Sequence, residues 1–396
     1  MIVLRGITAE SYPYHYNHDL YQEYYWDSLE ALCRSRSLTF TEAPNVHFPW
    51  FFRNLRRVRH SYKLGEILRG PLLPAVLDAI AGVVSQGKTE AHVPPIGLYV
   101  FNFDDIGGAP VCIDSRDTHE ISYEYASSCM IYFKTNFWPA SNYPPHVVPL
   151  PNMNPLVGRN VDLFRKLRTA RITRDLFAFV RVWGGTNQVD GIDHNIRLLY
   201  ELSKVPCRSL IVAYLVSGDI ASQKAKLDSL GIRWTTRPMA ARELWRNASE
   251  SRLNLVRMGM HQCTPWRLID VLAMGRIPVF DYRPLSLWPA PLIEGSNFLN
   301  LDFGPGDEVP QRSFSETFSA WLSNARLLSN ICSRNADYFD ECLTFDGLGH
   351  SIVGQVESIL LSSSITCGST FSSTSSSRFS QAIKDKPDNS DYWETI

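Results

Sequence analysis

Long apolar runs are missing from this 396-residue chain. Nowhere do about 18 consecutive apolar residues occur, so no segment reads as a bilayer-spanning helix. Net charge is missing as well: 39 Lys and Arg stand against 40 Asp and Glu, leaving -1, so no global field recruits nucleic acid or an anionic membrane. The eight cysteines (33, 112, 129, 207, 263, 332, 342 and 367) contain no C-x-x-C pair, so neither a zinc ribbon nor a disulfide framework follows from their spacing, and free buried thiols in a reducing compartment are the plainer reading. The apolar run Met1-Ile2-Val3-Leu4 is too short for a signal peptide. The triplet Asn247-Ala248-Ser249 is therefore read as an accidental match to a glycosylation acceptor, and the expected location is cytoplasmic. Internal repeats are absent. Neither G-x-G-x-x-G nor a P-loop occurs, so Gly107-Gly108 and Gly184-Gly185 read as turns, and dinucleotide and nucleoside-triphosphate readings have no support.

What is present is ordinary for a globular protein, with 44% hydrophobic and 20% charged residues and a somewhat rich aromatic share of 12%. The length suits two domains, because single cores stop growing at about 250–300 residues. In 21–32, Tyr25, Leu29 and Leu32 share a helical face, and 72–84 reads as a helix opened near Pro74. Strands are predicted at 96–103, 111–114 and 129–133. Six prolines (139, 144, 145, 149, 151 and 155) disfavour helix and central strand, so an interdomain linker is expected, with the boundary near residue 155. Beyond it the alternation is clearer: strands at 176–182, 210–215, 232–235, 253–256 and 277–280, with helices at 193–202, 221–230, 243–248 and 265–274 between them. That order predicts a parallel, doubly wound sheet whose ligands sit at the carboxyl ends of its strands. A helix is expected at 318–328. Residues 362–396, Ser- and Thr-rich and then polar, have too little apolar surface to offset ordering entropy and are expected to be disordered.

The informative stretch is 252–280: strand, loop turning at Gly259, helix, stop at Gly275, strand. Thr264 is a candidate N-cap with Pro265 at the first helical position. A helix start offers unpaired N–H groups and positive partial charge, which suits a diphosphate. Arg267 and Asp270 lie three apart and share a face, where a guanidinium can grip phosphate and a carboxylate can accept ribose hydroxyls. This segment resembles the donor-binding segment of GT-B glycosyltransferases, and most closely the exostosin-like branch. The matching residues are Trp266, Arg267, Leu268, Asp270, Ala273, Gly275, Ile277, Pro278 and Val279.

The resemblance implies two Rossmann-like domains facing a cleft: an acceptor domain in 1–155 and a nucleotide-sugar domain in 156–361, whose last segment crosses back to the first. It implies transfer of a hexosyl or pentosyl group from a nucleoside diphosphate sugar to a glycan or other hydroxyl acceptor, with no cofactor and no metal. Asp270 would bind the ribose and Arg267 the diphosphate. Arg181, Gly259, His261, Thr264 and Trp266 complete the expected donor set. Gln262 stands where many retaining enzymes of this type carry a Glu. Candidates for the acceptor-activating base are Asp104 and Asp105 after one strand, and Asp114 and Asp117 after the next. The basic cluster Arg53, Arg56, Arg57, Arg59 and His60 reads as a solvated face, so no nucleic-acid partner is expected. Two other readings stay open: a non-catalytic nucleotide-sugar or glycan-binding protein of the same fold, and a sugar epimerase.

Overall fold

The structure, a computed structural model, describes residues 3–11, 19–42, 96–104, 106–116, 118–182, 191–216, 218–257, 264–282, 288, 290–304 and 312–366. The expected helix at 72–84, the basic cluster at 53–60 and residues 367–396 lie outside these. The chain is α/β, built on two six-stranded sheets.

The first sheet has the order β2-β1-β3-β4-β5-β6, with strands β1 (Leu4–Ser11), β2 (Thr39–Glu42), β3 (Ile96–Phe103), β4 (Gly107–Asp114), β5 (Ile131–Lys134) and β6 (Val147–Pro149). Helix α1 (Asp19–Ser35) joins β1 to β2, and α2 (Tyr123–Ser128) precedes β5. Of these six described strands, β3 alone runs against the rest. This departs from a purely parallel Rossmann-like sheet. Only residues 104–106 separate β3 from β4, too few for a parallel crossover, so the pair closes as a hairpin. The predicted α1 face is present, with Tyr25, Leu29 and Leu32 fully buried.

The proline-rich stretch is more ordered than a bare linker. Val147–Pro149 adds an edge strand, a position that tolerates the missing N–H of Pro. Asn154 then caps α3 (Pro155–Arg159), accepting from the Leu156 N–H, with Pro155 in the first turn. Helix α4 (Val161–Leu167) follows and leads into the second sheet.

That second sheet is all parallel, in the order β12-β11-β10-β7-β8-β9. Its strands are β7 (Arg174–Val182), β8 (Ser209–Leu215), β9 (Arg233–Thr235), β10 (Ser251–Leu255), β11 (Ile277–Phe280) and β12 (Leu299–Asn300). Between them run α5 (Gly191–Ser203), α6 (Ile220–Ser229), α7 (Ala241–Ser249) and α8 (Trp266–Ala273). The order reverses between β7 and β10, which makes that crevice the topological switch point. The expected helix at 318–328 is instead two, α9 (Phe314–Ser323) and α10 (Ala325–Tyr338). Asn324 leaves helical geometry between them and caps the second through the Leu327 N–H.

A single π turn (Phe339–Leu343) then turns the chain into α11 (Phe345–Thr366). Helix α11 packs along α1, with Tyr24 Oη donating to the Leu343 carbonyl at 2.5 Å. Residues 362–366 therefore continue a helix, where the sequence reading begins the disordered tail. One hydrophobic cluster runs from the first sheet through α1, α3, α8 and α11, and a second fills the far face of the parallel sheet. No described helix is long and apolar enough to cross a membrane.

Candidate functional site

The segment that carries the resemblance folds as strand β10, a connection, helix α8 and strand β11, beside the switch point. Helix α8 starts one residue later than expected: Pro265 occupies the N-cap and no side chain caps it. Gly275, at φ +58°, takes the left-handed position that ends the helix. The Arg276 N–H reaches the Val271 carbonyl and the Gly275 N–H that of Leu272, a Schellman closure.

Arg267 sits inside the crevice. Its Nη1 donates to the Phe179 carbonyl at 3.1 Å. That carbonyl lies beyond Phe177, the last β7 residue paired with β10. The guanidinium also lies over the Phe177 ring at 4.6 Å. Two further donors, Nε and Nη2, are buried without an acceptor. Burial lowers the guanidinium to about 10, against the pull of Asp270, so it stays cationic at neutral pH.

Asp270 is placed differently from the ribose-binding role expected of it. It is 5% exposed, and both carboxylate oxygens are already held: Oδ1 by Asn154 Nδ2 at 2.7 Å and Oδ2 by Trp245 Nε1 at 3.1 Å. Its neighbour in the motif, Trp266, donates from Nε1 to Asn152 Oδ1 at 3.1 Å, and the buried Thr264 offers its carbonyl to Asn152 Nδ2. The proline-rich connection thus docks on α8 through two asparagines spaced to face it together. Asp270, Trp266 and Thr264 hold that connection rather than an open ligand surface. Arg181 is exposed near the end of β7. Gly259 and His261 lie outside the described residues.

The candidate bases separate. Because β3 opposes β4, Asp104 stands at the opposite edge of the first sheet from Asp114, not at a shared carboxyl edge as expected. Its carboxylate is gripped by Arg5 Nε at 2.5 Å, and that hydrogen bond holds it below the usual carboxylate range. Asp114 is fully buried and its oxygens receive Arg116, Tyr132 Oη at 2.6 Å and the charge of Lys134 at 3.3 Å. Burial pushes its carboxyl up, but Lys134, Arg116 and Tyr132 outweigh it and hold it low. A carboxylate so fully engaged reads as structural. Asp105 and Asp117 lie outside the described residues. Among those residues, no group of three or more His, Cys, Asp and Glu is placed to hold a metal ion.

No family model matches the chain, and no curated protein does. Among solved structures it is similar to Anabaena Alr3699/HepE in complex with UDP (TM-score 0.38, 12% identity, 58% of this chain and 64% of that one). It is also similar to a glycosyltransferase from Rickettsia africae ESF-5 (0.41, 10%, 86% and 94%), and to the sucrose-phosphate synthase of Thermosynechococcus elongatus (0.38, 10%, 59% and 59%). The chain spans 64% of the length of HepE. At scores and identities this low, none of these likenesses bears on what the chain binds or does.

A second set of polar residues, which sequence reasoning missed, gathers at the carboxyl edge of β10, β11 and β12. Arg257, two residues past β10, donates from Nε to Asp281 Oδ2 at 2.7 Å. Asp281, directly after β11, is fully buried, and His194 Nε2 of α5 lies 3.9 Å from the same oxygen. His194 stacks on Phe303 at 4.9 Å, and Asn300 ends β12. The available signal was position: a charged residue immediately after an apolar parallel strand stands at the ligand-facing edge.

Proposed function

We propose that the chain is a glycosyltransferase of the GT-B type, with an exostosin-like donor segment, that moves a sugar from a nucleoside diphosphate sugar to an acceptor hydroxyl. The observation that carries this reading is Arg267, a part-buried residue in the switch-point crevice whose guanidinium holds two buried N–H donors with no acceptor for either. Buried polar groups are nearly always paired, and an unpaired buried guanidinium is costly. A diphosphate supplies both the charge and the acceptor oxygens. The amino end of α8 adds partial positive charge on the same segment. In the reaction the acceptor oxygen bonds to the anomeric carbon, the bond from that carbon to the diphosphate breaks, and the nucleoside diphosphate leaves with the electron pair. Arg267 neutralises charge that grows on that leaving group, which stabilises the transition state more than the ground state. The acceptor proton passes to a base, and the acceptor is a glycan or other hydroxylated molecule.

Thermal unfolding of the full chain with UDP, GDP, ADP and their common sugars tests the donor. One diphosphate family is expected to raise the midpoint, since about 100-fold excess over Kd adds about 2.7 kcal/mol. Arg267→Ala is expected to weaken that binding by about 10- to 100-fold, the loss of charge-assisted hydrogen bonds. If no nucleotide shifts the midpoint, the donor reading fails. Donor binding without nucleotide release in the presence of acceptors would leave a binding protein.

A further inference from the structure

At the carboxyl edge of the parallel sheet stand two buried acceptor oxygens without a donor, beside a buried histidine. Asp281 is fully buried, and while Oδ2 receives Arg257, Oδ1 has no partner. Asn300 is buried, its Nδ2 donating to Asp302 Oδ1 at 2.5 Å, and its Oδ1 has no partner. His194 is buried too, and neither ring nitrogen makes a hydrogen bond. These atoms come from the ends of β11 and β12 and from α5. Direct contacts tie them together: His194 on Phe303, the Phe303 N–H to the Asp281 carbonyl, and Asn300 paired with Phe280 in the strand register. Buried polar groups are nearly always paired, and these oxygens stand at the ligand-facing edge of a doubly wound sheet.

The chemistry of the orphans fixes the chemistry of what they bind. At Arg267 the unpaired atoms are donors and suit phosphate. At Asp281 and Asn300 they are acceptor oxygens, and one is a carboxylate, which repels phosphate. Such oxygens call for hydrogen-bond donors, and the hydroxyls of a nucleotide sugar supply them. Successive strands stand about 4.8 Å apart, so β11 and β12 begin one and two strand spacings from the β7–β10 crevice, within the span of a nucleotide sugar. We propose that Asp281 and Asn300 read hydroxyl groups of the bound nucleotide sugar, on its ribose or its transferable sugar, with Arg257 holding Asp281 in position. This rests on the donor reading above and replaces Asp270, whose oxygens are taken, with a carboxylate whose Oδ1 is free.

Calorimetric titration of the full chain with UDP, 2′-deoxy-UDP and UDP-glucose, and with GDP, 2′-deoxy-GDP and GDP-mannose, tests it. The proteins are wild type, Asp281→Asn and Asn300→Ala. The second variant leaves the Arg257–Asp281 pair intact, so it carries the test if the first fails to fold. Each variant is expected to bind the preferred ligand about 10- to 100-fold more weakly. A loss confined to the sugar nucleotide assigns the transferable sugar. A loss shared by the free diphosphate, and absent for its 2′-deoxy form, assigns the ribose. Wild-type binding matched by Asn300→Ala, and by any folded Asp281→Asn, overturns this inference while the donor reading stands. Wild type that binds no member of the panel overturns both.

Discussion

At Asp270, burial opposes the charged carboxylate while Asn154, Trp245 and the Arg267 guanidinium favour it; burial prevails and raises the carboxyl to about 7. An ordinary Asp titrates near 3.9. The folded chain therefore holds this proton more tightly than the unfolded chain. The stability it contributes is complete below about pH 4 and is lost as pH rises through about 7. Asp270→Asn cannot titrate, so the stability of wild type relative to this variant should fall between those limits, by at most about 1.4 kcal/mol per pH unit, and level off above them. Urea unfolding of both proteins from pH 4 to 8 measures the difference. A constant difference across that range would remove the raised carboxyl from the account. The same protonation weakens the pull of Asp270 on Arg267.

Among the elements, the pairing of α1 with α11 depends on Gly349. A Cβ placed there would stand 2.6 Å from the Ser28 carbonyl oxygen and 2.9 Å from Leu32 Cβ. Gly349→Ala gains about 1 kcal/mol of helix propensity. Against that, a backbone carbonyl cannot swing aside, so the helices must part, at a cost of about 1–3 kcal/mol for overpacking. Net destabilisation is expected, read as a lower urea midpoint; a raised midpoint would show that the helices have room. The resemblance implies a last segment that crosses back to the first domain, but the close approach at Gly349 was invisible in the sequence. The parallel sheet was legible because buried strands such as 176–180 and 277–280 read as unbroken apolar runs. The β3–β4 hairpin was missed because β4 begins at Gly107, in a stretch read as a turn, and the Asn324 break because helical propensity continues on both sides of it. For the candidate site, Arg267 and Asp270 were singled out by type and spacing. Their surroundings were not, since Asn154, Trp245 and Phe179 meet them only through tertiary folding. Asp281 and Asn300 become conspicuous only when four elements converge and leave their oxygens unpaired.

Across the whole molecule, α11 belongs by sequence to the second sheet and by contact to the first. Leu348, Ile352, Val353 and Val356 are buried in the shared cluster. At about 1.5–3 kcal/mol each they contribute roughly 6–12 kcal/mol, as much as a typical domain's entire stability. A chain ending after Thr344 is expected to lose cooperative unfolding and bind a hydrophobic dye, whereas one ending after Thr366 should melt like the full chain. Cooperative melting of the shorter chain would show that α1 finds another cover. Beside this contact the two crossings are bonded to each other, Arg168 Nη1 and Arg165 Nη2 meeting Asp340 at 2.7 and 3.2 Å. The arrangement also imposes a schedule on synthesis. Tyr24 waits for Leu343, 319 residues downstream. At about 5–20 residues per second, the apolar face of α1 leaves the ribosome roughly 15 to 60 seconds before its cover exists. For that interval the nascent first sheet is a client for whatever holds unfinished chains.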